Sequence, residues 1–425
     1  MEPASPRRLK PAARVTTGGE VEKLTVLSLE QALSLSYATQ RFVHLGWRVI
    51  RVESTPSGDR LPGDPNRYVG KQVEQVTEGA KSDRHAYFIG PNVGKEAIAL
   101  NLKDKRGQEV LKRLIAELPV DVFASNTLPK RYEELGIDYG SLRAVRPSLI
   151  WVGLSAVGPE YPDAPGYDPA LQALMGYMDI TGDPNGPPML CGVPFVDLKA
   201  GDEVFANVCL ALAERARTGL GCRIDVSMAQ AAASWLVTTI PLLDLGYARS
   251  EITRNANEHR EFVPVNVYPT SDGYIYLAIG NDVQWSRLVS IDRFATLASP
   301  VRQTNEGRRS ERELIHEELG AITRKSTTQD LVELFGSKGL VAAPIHTVSE
   351  VVDYPPIRDK LLTTQTPDGR TVRLPPPSVE RAHLVSDDRR IGYAPSYGVD
   401  TGRILTEAGF AEAEAEDLRS AGVVG

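Results

Sequence analysis

The feature that most constrains this chain is the alternation of short apolar segments with helical ones from residue 24 onward. Spacing predicts helices over 36–45 and 106–118, the second with Val110, Leu111 and Leu114 on one face. The predicted strands cover residues 24–29, 48–53, 97–102, 120–124 and 149–153. This order predicts an α/β fold, with a large Rossmann-like domain whose mainly parallel sheet carries helices on both faces. Ligands are then expected at the carboxyl ends of the strands.

The chain changes character beyond residue 222, which predicts a second domain. Residues 1–22, rich in Pro, Ala and Arg, are interpreted as a disordered tail. We assign 23–222 to the first part of the large domain, 223–350 to a smaller α+β domain and 351–425 to a return segment that completes the large one. The Asp272-Gly273 pair predicts a turn that leads into a strand, and residues 400–425 are predicted to form an acidic helix.

Composition excludes several classes of protein. Lys and Arg number 48 against 55 Asp and Glu, a net charge of −7, which argues against a nucleic-acid partner. Three cysteines cannot build a disulfide framework, so a reducing, cytoplasmic compartment is predicted. No apolar run reaches the roughly 18–20 residues that a membrane span needs, so no membrane partner is expected.

The familiar nucleotide and metal motifs are missing. The turn after the first strand, residues 30–36, contains no glycine, whereas a dinucleotide-binding turn needs glycines to approach pyrophosphate. The chain also lacks the phosphate-binding GxxxxGK[ST] motif and the GxSxG nucleophile motif. Its six histidines are scattered and its cysteines lack metal-ligand spacing, so no metal site and no resident cofactor are predicted.

Asp168 is the residue whose local setting is most informative. It precedes Pro169, and proline favours the first position of a helix. The simpler interpretation of the spacing is that Asp168 caps this helix, since Asp is a favoured cap. The same geometry would also present an ionised carboxylate as a nucleophile at a helix amino terminus. Local spacing leaves both interpretations open.

A set of ordered motifs surrounds Asp168. It comprises Gly166-Tyr-Asp-Pro-Ala-Leu-Gln-Ala-Leu-Met-Gly176, then Gly192-Val-Pro-Phe-Val-Asp197, then Arg217-Thr-Gly-Leu-Gly-Cys-Arg-Ile-Asp-Val-Ser227. Together these motifs resemble the class III CoA-transferases, a family that includes formyl-CoA, carnitine and benzylsuccinate CoA-transferases and α-methylacyl-CoA racemase. The resemblance extends over most of the chain.

The resemblance implies an enzyme that moves CoA from an acyl-CoA donor to a free carboxylic acid, such as a dicarboxylate or an aromatic acid. It implies that Asp168 forms first a mixed anhydride and then a CoA thioester, so the CoA thioester is a substrate. It also implies an intertwined dimer of ring-shaped subunits, either a homodimer or a heteromer with a paralogous subunit.

Family residues that contact CoA are carried over position by position. Among them, Arg51 and Lys95 are expected to pair with the nucleotide phosphates, since cationic side chains favour phosphate. The full set of predicted contacts is Gln31, Ala32, Leu33, Arg51, Asn92, Lys95, Ser125, Asn126 and Arg131.

Two alternatives remain at this point. The family's usual A-G-P is replaced by Ser34-Leu-Ser36, and a familiar arginine is replaced by Glu134, with Arg131 one turn away. These departures fit a non-catalytic or weakly active subunit of a heteromer. The second alternative is an acyl-CoA racemase, but racemases of this family carry His where this chain has Tyr167, a poor base near neutral pH. Asp197, which matches a second racemase residue, is expected to cap a helix over 198–217.

Overall fold

A six-stranded, all-parallel sheet organises the chain in the computed structural model, which describes residues 22–56, 61–73 and 82–425. The predicted tail lies outside these residues except for Glu22. The strand order is β3-β2-β1-β4-β5-β6, the doubly wound Rossmann order. The strands are β1 (Thr25–Leu29), β2 (Arg48–Glu53), β3 (Glu96–Ala99), β4 (Val122–Ser125), β5 (Ile150–Ser155) and β6 (Arg223–Ser227).

Helices follow most of these strands. Up to residue 234 they are α1 (Ser34–His44), α2 (Ala86–Asn92), α3 (Lys105–Glu117), α4 (Tyr139–Val145), α5 (Asp168–Leu174), α6 (Tyr177–Ile180), α7 (Phe195–Thr218) and α8 (Met228–Ser234). Later helices are α9 (Asp282–Val289), α10 (Asn305–Ser310), α11 (Arg312–Thr323), α12 (Thr328–Ser337), α13 (Val348–Val351), α14 (Pro355–Arg358), α15 (Ala382–Ser386), α16 (Thr401–Glu407) and α17 (Glu412–Ser420). Short 3₁₀ turns lie at Pro65–Tyr68, Pro129–Arg131, Trp235–Thr238, Ile240–Leu243, Arg249–Glu251, Asp292–Leu297 and Val301–Gln303.

The central strands are buried on both faces, which explains their continuous apolar character. Successive residues such as Val26 and Leu27, or Val49 and Ile50, point to opposite faces, and all four are at most 1% exposed. A parallel sheet needs this double cover. On one face the apolar side of α3 and Leu405 of α16 join the core, so the carboxyl-terminal segment completes this layer.

The chain divides into two compact units. The first contains the parallel sheet and combines residues up to Leu171 with Pro194–Trp235 and Pro356–Gly425; it also holds the hairpin of β10 (Leu362–Gln365) and β11 (Thr371–Leu374). The second combines Gln172–Val193 with Leu236–Pro355 around an antiparallel sheet of β7 (Val265–Pro269), β8 (Tyr274–Ala278) and β9 (Val341–Pro344). Domain boundaries after residues 222 and 350 stay a prediction.

The α/β fold with its parallel sheet is confirmed, and so is the turn at Asp272-Gly273 that leads into β8. Two details differ from expectation. Residues 400–425 form two helices, α16 and α17, because Gly409 adopts a left-handed conformation (φ 77°) that ends the first. The helix expected over 198–217 begins three residues earlier, at Phe195.

Candidate active site

A cavity of about 420 Å³ opens at the carboxyl ends of β1, β4 and β5. Its lining includes Gln31 after β1, Asn126 after β4 and Ala156 after β5. In this strand order the chain turns outward in opposite directions from β1 and β4, which leaves a crevice between the two loops. The cavity therefore lies where the fold itself predicts a ligand site.

Asp168 lies at the beginning of α5, directly after two residues of the cavity wall, Gly166 and Tyr167. Its side chain is buried, with 3% of the residue exposed, whereas Tyr167 is 74% exposed. One carboxylate oxygen, Oδ2, accepts hydrogen bonds from the backbone N–H groups of Val196 (2.7 Å) and Asp197 (3.2 Å). Asp168 thus binds the amino terminus of the 24-residue helix α7, where the helix dipole attracts an anion.

Asp197 and Asp64 are the carboxylates of the cavity wall. The sequence suggested that Asp197 caps α7, but the cap position is Pro194. Asp197 lies inside the first turn of the helix. The Ser34 hydroxyl donates to its Oδ1 at 2.5 Å. Burial raises the pKa of Asp197 to about 6; the charge of Asp168 acts in the same direction, and the hydrogen bond from Ser34 opposes both.

The turn between β1 and α1 forms another part of the wall. Gln31 is held by Asn126, whose amide oxygen accepts from the Gln31 N–H (3.0 Å) and whose amide nitrogen donates to the Gln31 carbonyl (2.7 Å). Ala32 has a left-handed backbone with φ 56°, and its N–H donates to Oδ1 of Asp64 at 3.3 Å. Glycine adopts a left-handed backbone readily, but this turn has none. The hydrogen bonds with Asn126 and Asp64 therefore hold Ala32 in that conformation.

A buried ion network lies under this turn. The cations Arg51, Arg67 and Lys95 meet the carboxylates Glu30, Glu53 and Asp64, and every one of these side chains has an exposure of 0%. Lys95 Nζ donates to Glu30 at 2.7 Å and Arg51 to Asp64 at 3.0 Å. Burial alone would raise the pKa of Glu30, but Lys95 and Arg51 outweigh it and lower that pKa.

This network contains Arg51, Asn92 and Lys95, whose contact with CoA stays a prediction. All three side chains are buried, and both Arg51 and Lys95 donate to Asn92 as well as to carboxylates. The terminal nitrogens of Arg51 and the Nζ of Lys95 have protein partners, whereas the buried Nε of Arg51 has none. None of the three residues is among those that line the two cavities. A buried cation without a partner is costly, and the sequence does not reveal that Glu30 and Asp64 supply partners.

The other predicted contacts are placed differently from one another. Gln31, Ala32, Asn126 and Arg131 line the cavities. Leu33 is half-buried at the beginning of α1, and Ser125 is buried, its hydroxyl accepting from the N–H of Thr127 at 3.1 Å. Sequence analysis missed Asp64 as a member of the wall and assigned Asp197 to a helix cap. The sequence does mark Asp64 as a cap, because it directly precedes Pro65, and in the structure it caps the turn at Pro65–Tyr68.

A second cavity, of about 700 Å³, adjoins the first and shares Gln31, Pro65, Thr127 and Arg131 with it. Leu29, Leu100 and Leu135 give it apolar walls, and Lys103 and Arg131 give it positive charge. Arg131 pairs with Glu134 at 3.2 Å at the protein surface. The described residues contain no cluster of His, Cys, Asp and Glu able to hold a metal ion.

Comparison with known proteins decides the family. The model of CoA-transferase family III matches residues 21–401. The chain belongs to CoA-transferase family III. This transferase is 29% identical over 403 residues to a succinate–glutarate CoA-transferase of Agrobacterium fabrum, covering 90% of this chain and 94% of that one. It is 30% identical over 341 residues to an acetyl-CoA:oxalate CoA-transferase of Acetobacter aceti, covering 79% and 83%.

The fold of this family III transferase also resembles solved structures. A crystal structure of a CAIB/BAIF family protein from Brucella suis matches with a TM-score of 0.76 and 29% identity. The match covers 91% of this chain and 98% of that one. As a member of CoA-transferase family III, the chain is an enzyme that transfers CoA. Over residues 22–56, 61–73 and 82–425, no helix of the transferase is long and apolar enough to cross a membrane.

Proposed function

We propose that this chain transfers CoA from an acyl-CoA to a dicarboxylic acid, with Asp168 as the covalent carrier. The observation that carries the proposal is the position of Asp168. It is a buried carboxylate that directly follows the cavity wall, and two backbone N–H groups at the beginning of α7 hold one of its oxygens.

The reaction is proposed to run in two mirror-image halves. A carboxylate oxygen of Asp168 attacks the thioester carbonyl, the C–S bond breaks, and CoA thiolate leaves an aspartyl anhydride. The thiolate then attacks the aspartyl carbonyl and releases the donor acid, which gives an aspartyl-CoA thioester. The acceptor carboxylate attacks this thioester, the thiolate attacks the acceptor side of the new anhydride, and Asp168 returns as a carboxylate. Splitting one difficult exchange in this way is the advantage of covalent catalysis.

The local structure supports these steps. Hydrogen bonds to Oδ2 hold the carboxylate in one orientation, which favours attack on a bound carbonyl. Anhydrides hydrolyse readily, and a buried carboxylate is shielded from bulk water. Ser34 and Asp197 lie on the same wall and are joined by the hydrogen bond from the Ser34 hydroxyl to Asp197.

The two adjoining cavities suggest where the substrate lies. The larger one combines apolar walls with Lys103 and Arg131, which suits a nucleotide with its phosphates. The smaller one is lined by Gly166 and Tyr167, which directly precede Asp168, and suits the thioester end. In this proposal Gln31 and Ala32 lie beside the thioester end of CoA, while Arg51, Asn92 and Lys95 support the loop from below.

The printed names of relatives point to the acceptor. Two of them act on succinate with glutarate and on oxalate, all of which are dicarboxylic acids. We therefore propose a short dicarboxylic acid as the acceptor.

The test uses succinyl-CoA with glutarate and compares wild type with Asp168→Ala. We expect the variant to lose transfer by at least about 10³-fold, since the covalent carrier is gone. Hydroxylamine added to wild type with succinyl-CoA should yield a hydroxamate at Asp168, located by peptide mass spectrometry.

Asp163→Ala is the matched control, because Asp163 lies on the same segment but is exposed and pairs with Lys130. It should keep transfer activity. Undiminished transfer by Asp168→Ala would reject the covalent role, and no transfer by wild type with any dicarboxylic acceptor would reject the proposed acceptor class.

We also propose that the protein works as a dimer in the cytoplasm. Large apolar side chains are exposed along 235–245, which is typical of an association surface. The three cysteines form no disulfide, as suits a reducing compartment. An intertwined dimer of ring-shaped subunits is the arrangement that the family suggests.

A further inference from the structure

The turn Gln31–Ala32 crosses the crevice between β1 and β4, and its conformation is held from two sides. Asn126, which follows β4, makes two hydrogen bonds with the backbone of Gln31, one as donor and one as acceptor. Asp64, which follows the loop after β2, accepts the N–H of Ala32. Three separate elements thus converge on two residues of the cavity wall.

Ala32 is the strained member of this turn. A positive φ places the Cβ of an L-residue too close to the backbone, so residues other than glycine seldom adopt it. Such strain persists only where surrounding contacts over-determine it, and it concentrates at functional sites. Here the contacts are Asn126 on the preceding residue and Asp64 on Ala32 itself.

Asp64 carries the restraint into the protein interior. Its Oδ1 also accepts from Asn66 N–H at 2.9 Å, and its Oδ2 accepts from Arg51 at 3.0 Å. Arg51 is buried under the turn among Glu30 and Glu53. The position of Ala32 is therefore tied to the ion network instead of being set by the turn alone.

We propose that Asn126 and Asp64 are positioning residues that hold the left-handed Gln31–Ala32 turn in the shape that receives the acyl-CoA. The inference rests on the proposed function, since it assigns this turn to the thioester. It differs from the sequence expectation for Asn126, which was a direct CoA contact; in this arrangement Asn126 acts through Gln31.

The first test measures kcat and KM for succinyl-CoA in Asn126→Ala. Loss of two hydrogen bonds that preorganise the turn should raise KM by about tenfold while kcat changes less than about twofold. Asn126 is half-buried and outside the ion network, so this variant is expected to fold; its melting temperature is measured alongside.

Asn305→Ala is the matched control. Asn305 makes the same kind of two-sided clamp on backbone, donating to the Glu261 carbonyl and accepting from the Val263 N–H, but in the second unit. It should leave KM unchanged. An equal rise of KM in both variants would show a general loss of structure and overturn the proposal.

The second test changes the strain itself. Ala32→Gly removes the Cβ that makes the left-handed backbone costly. Added to Asn126→Ala, it should lower the raised KM most of the way back to the wild-type value. Ala32→Val should raise KM, because a β-branched residue tolerates positive φ poorly. An unchanged KM in Asn126→Ala, or no recovery from Ala32→Gly, would overturn the proposal.

The outcomes separate the two hypotheses. Retained transfer in Asp168→Ala rejects the covalent role whatever the turn variants do. Transfer that depends on Asp168 but has the same KM in Asn126→Ala rejects only the positioning role.

Discussion

At the scale of single residues, the carboxylates of Asp168 and Asp197 are held in different ways. Asp168 receives two backbone N–H groups at the beginning of α7, whereas Asp197 receives the Ser34 hydroxyl. The pKa of Asp197 is raised to about 6, chiefly by burial. Neutral and charged forms of Asp197 therefore exchange in a pH range where many enzymes work.

The raised pKa of Asp197 predicts a pH-dependent stability. Between pH 4 and 6 the folded protein binds a proton at Asp197 that the unfolded chain has released, so the free energy of unfolding from this group falls as pH rises. Asp197→Asn should remove that slope while keeping an oxygen for Ser34. Urea unfolding at several pH values from 4 to 7 measures it; identical slopes in both proteins would contradict the assignment.

Sequence could identify Asp168 because a motif and a helix-starting proline mark it. It could not identify the setting of Arg51 and Lys95, since a cation that binds phosphate and a cation that neutralises a buried carboxylate look alike in a single sequence. The partners Glu30 and Asp64 come from other loops, and only folding brings them together.

At the scale of elements, the packing of α1 against α7 places Ser34 beside Asp197. Gly201 of α7 allows this approach: a Cβ at that position would lie 2.7 Å from Cδ1 of Tyr37 and 2.8 Å from the backbone oxygen of Ser34. Backbone cannot yield as a flexible side chain does, so even one methyl group would push the two helices apart.

Gly201→Ala is therefore expected to destabilise the protein by roughly 1–3 kcal/mol, the usual cost of overpacking. It should also lower activity, because the beginning of α1 would move. Gly336→Ala is the control: Gly336 lies in α12 with no atom within 4 Å of a built Cβ, so the change should be neutral or mildly stabilising. Thermal unfolding and transfer assays measure both; an unperturbed Gly201→Ala would contradict the close packing.

The strands were the most predictable elements, since apolar runs bounded by polar loops mark β2 and β5 clearly. Helix boundaries were less accessible. The beginning of α7 depends on Pro194 and on the approach of Asp168, and the break between α16 and α17 depends on the backbone of Gly409. Neither follows from periodicity alone.

At the scale of the whole molecule, the apolar side chains exposed along 235–245 lead to a prediction about assembly. Val237 and Leu245 are 70% and 71% exposed. Replacing both with Lys should weaken self-association by about tenfold or more if they lie inside a subunit interface. Val399→Lys is the control, since Val399 is an apolar residue that is 63% exposed outside this segment. Sedimentation velocity over a concentration series measures it; unchanged association would place the interface elsewhere.

The carboxyl-terminal residues cover the edge of the parallel sheet where β3 ends, beside the part that Asp400 and Thr401 cover. Asn101 N–H donates to the Val423 carbonyl, Gly425 N–H donates to the Ala99 carbonyl, and Val423 and Val424 are buried. During synthesis, β3 leaves the ribosome long before these residues exist. Until then the β3 edge of the nascent chain is open to pairing with other chains. Dependence on chaperones during folding should therefore be greatest in variants that lack residues 421–425.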